Sequence, residues 1–310
     1  MAEIRNPETP ESRLAVEPDR PRVEILGVQI SVGDSQAAVD RLAGWITGGR
    51  HTHVCVSDVN ALLNASRSPR LTAFYNTSGM TMTLADGMPL VWAGRRAGVV
   101  DMQRVCGPDF MPVVLARSAQ EGWSNYFLGG DEGVAERLAE KMSERFPGLS
   151  VAGYECPPFR QLDDAEKAEQ IGRINDSGAQ IVWVCLGAPR QELWMEEMRP
   201  HLKANVLVGV GAAFNFLVGD VRRAPAVLQK AGLEWAYRIC QEPGRLWRRY
   251  AMGIPQYLGG VAMHRPRIVT GAVPSGVTLD PVRSEQTAVG VEQSSQAVEP
   301  PTEVAAVPNA

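Results

Sequence analysis

The sequence predicts an α/β fold of mainly parallel sheets covered by helices. Two observations predict it. Strand-like and helix-like segments alternate along most of the chain, as repeated strand–helix units require. Several of the apolar runs also end in glycine or an acid just before a helix start, where the strands of open α/β sheets present their ligand-binding ends.

The elements follow in order. Val23 to Ile30 reads as a strand and Ser35 to Ile46 as a helix. His53 to Val56 is a short strand, and Asn60 to Asn76 is helical with an interruption at Pro69. Met80 to Leu84 is a strand, followed by helices from Met88 and from Pro108. Asn125 to Leu128 is a strand ending in Gly129-Gly130. In the helix after it, Val134, Leu138, Met142 and Phe146 recur every fourth residue and form one apolar face. A helix over Asp164 to Asn175, a strand over Gln180 to Leu186, a helix from Glu192 to Met198 and a strand over Asn205 to Val210 complete the alternation.

Composition sets the limits. A 310-residue chain that is 45% hydrophobic can bury a large core. A net charge of -4 argues against a general nucleic-acid binder, so no nucleic-acid partner is expected. Cysteines 55, 106, 156, 185 and 240 form no metal-binding spacing and read as reduced structural thiols of a cytosolic protein. Residues 1–22, rich in Pro, Glu and Arg, read as a flexible leader without the apolar stretch of a signal peptide. Residues 269–310 lack aromatics and read as a disordered tail. No segment approaches the ~18 apolar residues of a membrane span.

Four segments carry the chemistry. Leu186-Gly187-Ala188-Pro189-Arg190-Gln191-Glu192 joins a buried strand to a helix N-terminus, where free amides accept phosphate and a Gln-Glu pair can read a base or sugar. Leu84-Ala85-Asp86-Gly87-Met88-Pro89 places an acid at a strand's carboxyl end, although Asp86 could equally cap the next helix. Phe214 to Pro225 contains Arg223, and Gly232-Leu-Glu-Trp-Ala-Tyr-Arg238 precedes Arg245, Arg248 and Arg249. Gly129, Gly130, Gly187 and the Gly209-Val-Gly211 pair lie at strand ends, where a ligand could approach the backbone. The last pair misses the third glycine of a dinucleotide fingerprint, since position 214 is Phe.

Taken together and in this order, from about Val23 to about Gly253, these segments resemble the WecG/TagA/CpsF family of bacterial glycosyltransferases. The resemblance implies a Rossmann-like nucleotide-binding half with Gln191 and Glu192 near the uridine or its ribose. It also implies a helical C-terminal appendage that binds the membrane and supplies arginine to the active site. The corresponding division is a core over 23–234 and an arginine- and aromatic-rich appendage over 235–268. The implied activity moves an N-acetylmannosamine-type or related sugar from a UDP-sugar to a polyprenyl-diphosphate-linked saccharide, in assembly of cell-surface polysaccharide or teichoic acid.

Glycosyl transfer needs the acceptor hydroxyl deprotonated, usually by a carboxylate in inverting transfer. The four histidines lie outside the four segments, so a carboxylate is favoured. Asp86 is the first candidate for that base. Asp109, beside Gly107 at a helix start, is the second. Asp58 stands where relatives usually carry Asn, with Asn60 two residues on, and could compete for the role or alter sugar recognition. The chain lacks an Asp-x-Asp pair after a strand, so no metal and no cofactor is expected. Positive charge must then stabilise the leaving diphosphate, and arginines among Arg223, Arg238, Arg245, Arg248 and Arg249 would meet that diphosphate or the lipid phosphate.

Between Trp235 and Arg267 the arginines at 238, 245, 248, 249, 265 and 267 face a single acid, Glu242, and alternate with Trp and Tyr. That composition suits the inner face of a cell membrane, where a lipid-linked acceptor would arrive; its bland alternative is a solvated basic helix. A homo-oligomer stays open. Two rival readings also stand: a nucleotide-sugar oxidoreductase, disfavoured by the missing glycine fingerprint, and a non-catalytic membrane-associated scaffold.

Overall fold

The computed structural model describes residues 21–77 and 79–270. The described residues open with β1 (Arg22–Ile25), β2 (Val28–Ser31) and α1 (Ser35–Thr47). It continues through β3 (Thr52–Ser57), α2 (Val59–Ser66), α3 (Pro69–Asn76), β4 (Thr81–Ala85), α4 (Met88–Arg96) and α5 (Gly107–Glu121). Then come β5 (Ser124–Gly129), α6 (Val134–Arg145), β6 (Ser150–Glu155), α7 (Asp164–Asp176), β7 (Ile181–Cys185), α8 (Arg190–Met198) and β8 (Val206–Gly209). The last elements are α9 (Ala213–Val218), α10 (Ala226–Lys230), α11 (Glu234–Gln241), α12 (Pro243–Met263) and β9 (Arg267–Thr270).

Strands β4-β3-β8-β7-β5-β6 form one sheet in that order, every neighbouring pair parallel. The steps from β3 to β4 and from β7 to β8 run one way across the sheet, and the step from β5 to β6 runs the other way. Right-handed crossovers therefore place helices on both faces. The period-two alternation of the strands divides the core accordingly. Cys55, Val182, Val184 and Leu207 face α2, α3 and α8 through Leu62, Phe74 and Met195. Val54, Val56, Trp183 and Val208 face α1, α5 and α6 through Leu42, Phe110 and Leu138. Burying each such side chain contributes roughly 1.5–3 kcal/mol. Trp183 satisfies its buried indole nitrogen on Asn125 Oδ1 at 2.9 Å.

Because the sheet is parallel, all six carboxyl ends lie along one edge. Asp58, Asp86, Gly129-Gly130, Gly187 and Gly211 stand there together, which is where open α/β sheets bind ligands.

Three expectations change. The strand expected over Val23 to Ile30 is a hairpin, β1 paired antiparallel with β2. Its turn residues, Leu26 and Gly27, have φ of 52° and 82°. Positive φ at both positions suits a two-residue hairpin turn, but Leu is a poor signal for it. Strand β6 was not foreseen: it is the sheet's edge, largely half-exposed, and its sequence Ser-Val-Ala-Gly-Tyr-Glu carries no clean apolar run. The folded part also reaches further toward both termini than expected. Arg22, assigned to the leader, is 1% exposed in β1 and donates to the Thr81 carbonyl at 3.1 Å. Val269 and Thr270 belong to β9, which pairs antiparallel with β1. The rest of the expected leader and tail, residues 1–20 and 271–310, lies outside the described residues.

The arginine- and aromatic-rich segment forms α11 and α12. Helix α12 packs on α2, and its Tyr257 hydroxyl donates to the Pro89 carbonyl at 2.8 Å. It also crosses the β1–β2 turn so closely that a Cβ on Gly260 would sit 2.8 Å from Leu26. Among the described residues no helix is long and apolar enough to cross a membrane.

Candidate active site

A cavity of about 510 Å3 lies between the carboxyl ends of β3 and β4 and the helices α11 and α12. Its walls have two characters. Asp58, Asp86, Arg96, Arg104, Arg223, Glu234, Arg238 and Arg249 give it charged walls, and Met88, Trp92, Ile254, Leu258 and Val261 give it apolar ones.

Asp86 follows β4 directly, and its amide donates to the Ser57 carbonyl at 2.9 Å, which fixes the turn beside β3. The next residue, Gly87, has φ of 115°, a region that favours glycine. Gly87, not Asp86, is the N-cap of α4, and no side chain caps that helix. The carboxylate is therefore released from the capping role that its sequence context allowed. It keeps 29% of its surface open and meets Arg104 Nη2 at 3.3 Å. Removal from water raises its pKa to about 6; Arg104 opposes the rise, and the charges of Asp58 and Glu234 add to it.

Asp58 is committed twice. One carboxylate oxygen caps α2 by accepting from Ala61 N at 2.9 Å, and the other pairs with Arg249. Among the three candidate acids Asp86 is thus the least tied. Asp109 sits in the first turn of α5, accepts from Cys106 Sγ at 2.9 Å and pairs with Arg223. Its partial burial would raise its pKa, but the hydrogen bonds from Arg223 and Cys106 outweigh that and hold the carboxyl below its ordinary value.

Four guanidiniums surround these acids. Arg104 Nη2 also donates to Glu234 Oε2 at 2.6 Å, and Arg223 Nε lies 3.8 Å from Glu234 Oε1. Arg223 further donates to Gln229 at 3.0 Å. Arg238 lies 5.2 Å over the Phe216 ring, and Arg249 completes the set. Among the described residues no three His, Cys, Asp or Glu side chains are grouped as metal ligands would be.

Of the residues expected at the site, the structure brings Asp58, Asn60, Asp86, Arg223 and Arg238 to the cavity wall. Asp109 joins them through Arg223. Other expectations are corrected. Gln191 and Glu192 are each 1% exposed and face inward. Gln191 Oε1 accepts from Gly211 N at 2.9 Å, its amide nitrogen donates to Glu192 Oε1 at 2.8 Å, and the same oxygen accepts from the Tyr75 hydroxyl at 3.1 Å. Burial raises the pKa of Glu192. The pair forms a buried strut beneath the Gly211 turn rather than an open contact surface. Gly107, Gly129 and Gly130 are needed for packing: a Cβ would meet the Val210 carbonyl at 2.8 Å, the Cys185 carbonyl at 2.5 Å and Val134 at 3.0 Å, respectively. Gly187 differs, with φ of 73° and open space around it. Arg248 is exposed on α12 and does not line the cavity. The Arg245 side chain lies outside the described residues.

Arg104, Arg249 and Glu234 are the site residues that sequence reasoning underused. Glu234 stood inside the quoted Gly-Leu-Glu-Trp string and Arg249 inside the arginine cluster. Arg104 had no local signal, being 18 residues from Asp86 and 130 from Glu234.

The profile of the glycosyl transferase WecG/TagA/CpsF family matches residues 23–268. The chain is similar to an N-acetylglucosaminyldiphosphoundecaprenol N-acetyl-beta-D-mannosaminyltransferase of Bacillus spizizenii, 31% identical over 200 residues that cover 64% of this chain and 74% of that protein. A match over nearly all of the described fold, cavity included, places the chain in the WecG/TagA/CpsF family of glycosyltransferases.

Proposed function

We propose that this glycosyltransferase moves an N-acetylmannosamine-type or related sugar from a UDP-sugar to a polyprenyl-diphosphate-linked saccharide, by one inverting displacement that needs no metal. The observation that carries the reading is Asp86: a recessed carboxylate with a raised pKa, 3.3 Å from Arg104, in a cavity lined also by Arg223, Arg238 and Arg249 and by apolar side chains. The acceptor hydroxyl loses its proton to the Asp86 carboxylate as its oxygen bonds to the anomeric carbon. The anomeric carbon–oxygen bond to the diphosphate breaks on the opposite face, and UDP leaves with that electron pair. Arg104, Arg223, Arg238 and Arg249 supply the positive charge that the leaving diphosphate gathers. The relative's name supports the donor sugar type and the lipid-diphosphate acceptor.

The nucleotide lies along the glycine-bearing strand ends, with Gly187 giving the closest backbone approach. Gln191 and Glu192 serve it from beneath, by fixing the Gly211 amide. The apolar wall of Trp92, Ile254, Leu258 and Val261 receives the lipid end of the acceptor, and the enzyme works peripherally on the inner face of the cell membrane. Membership of a glycosyltransferase family leaves no place for the oxidoreductase and scaffold readings.

Asp86→Asn tests the reading. The variant keeps the fold and UDP binding while turnover falls by roughly 10²–10⁴-fold, and the parent enzyme keeps its turnover in excess EDTA. Near-normal turnover in Asp86→Asn would remove Asp86 from the role of base.

A further inference from the structure

One guanidinium nitrogen, Arg104 Nη2, serves two carboxylates. It lies 2.6 Å from Glu234 Oε2 and 3.3 Å from Asp86 Oδ1. The first distance is that of a strong charge-assisted hydrogen bond, and the second is longer than the usual range for one. Arg104 uses its planar fork on neither acid: Nη2 alone reaches each of them, and Nε has no hydrogen-bond partner. Both Glu234 and Arg104 are recessed, with side chains 15% and 20% exposed, so their attraction is little screened by water.

We infer that Glu234 is a positioning residue that draws Arg104 away from Asp86, and so leaves the Asp86 carboxylate free to take the acceptor's proton. This rests on the reading of Asp86 as the base. The surroundings of Asp86 support it from each side. Asp58 faces it from the end of β3, with its own charge met by Arg249 from α12. Arg104 and Cys106 face it from the segment between α4 and α5, Glu234 from α11, and Tyr250 from α12. Arg104 is therefore the cation that most directly holds Asp86 ionised. A full Arg104–Asp86 fork would lower the affinity of Asp86 for a proton and weaken it as a base. Glu234 prevents that fork from closing. Its second oxygen, 3.8 Å from Arg223 Nε, is oriented toward another cation, which fixes the carboxylate in the sharing position.

The experiment compares pH profiles of kcat/KM for the UDP-sugar in the full-length enzyme. Glu234→Gln keeps the shape and an acceptor oxygen but removes the charge. Arg104 then swings to Asp86, and the acid limb of the profile moves to lower pH by about one unit or more. The plateau falls several-fold, because a weaker base accepts the proton less readily. Arg104→Gln removes the shared cation, and the limb moves the other way, to higher pH. Glu234→Asp returns the limb toward its parent position. UDP binding by calorimetry and melting temperature monitor the fold. A limb that stays at its parent pH in Glu234→Gln, whatever happens to the plateau, overturns the inference and makes Glu234 a structural tie. If Glu234→Gln does not fold, Arg104→Gln decides alone: a limb unmoved or moved down overturns it. Failure of the underlying reading is seen separately, as turnover surviving in Asp86→Asn.

Discussion

Asp86 and Glu192 are both acids at strand or helix ends, yet their environments separate them. Asp86 opens onto the cavity and meets a cation; Glu192 is enclosed and meets only neutral donors. A base must be ionised to act, and the pKa of Asp86 is raised to about 6. The ionised fraction falls tenfold for each unit below that value. kcat/KM is therefore expected to fall with slope one as pH drops below about 6, and the limb disappears in Asp86→Asn; a profile flat to pH 4.5 would contradict this. Strand-end acids such as Asp58 and Asp86 were legible in the sequence, because their neighbours announce a strand and a turn. The inward orientation of Gln191 and Glu192 was not. A polar pair at a helix start reads the same whether it faces ligand or core. The difference is made by Tyr75, 117 residues from Glu192.

At the scale of elements, α12 has two unlike faces. Leu246 and Tyr257 are buried, whereas Trp247, Met252, Leu258 and Met263 expose 62%, 58%, 60% and 77% of their surfaces, with Arg248 exposed among them. Exposed apolar side chains beside a basic residue suit an anionic bilayer, where each cation contributes about 1 kcal/mol, screened by salt. Replacing Trp247, Arg248 and Met252 by Glu is expected to release the protein from phosphatidylglycerol vesicles in a sedimentation assay, while UDP binding persists. Unchanged sedimentation would make this face merely solvated. Helices with a clear apolar period, such as α6, were placed correctly from sequence to within a residue or two. The β1–β2 hairpin and β6 escaped because one turns on a Leu-Gly pair and the other is a half-exposed edge. In each case the deciding interaction is a pairing partner, not the segment's own pattern.

On the scale of the whole molecule, the alternation of strands and helices made the parallel sheet legible, since each crossover is local in sequence. The strand order was not legible. Nor was the return of the chain's last described strand to its first, where Arg22 pairs with Thr270 and Arg267 Nη2 meets Glu24 at 3.0 Å. That clasp has a kinetic meaning. Closing a ring of 243 residues costs loop entropy long before any contact repays it, so β9 should dock after the parallel sheet has formed. Interactions absent from the transition state change unfolding rates and leave folding rates nearly alone. Arg267→Ala and Ile268→Ala are accordingly expected to steepen the loss of native protein, raising the unfolding arm of a denaturant chevron while the folding arm stays in place. A comparable slowing of folding would mean that the clasp forms early. A fold held this way resists time rather than gaining speed: its first and last described strands, joined last, are the latch that sets how long the assembled enzyme persists.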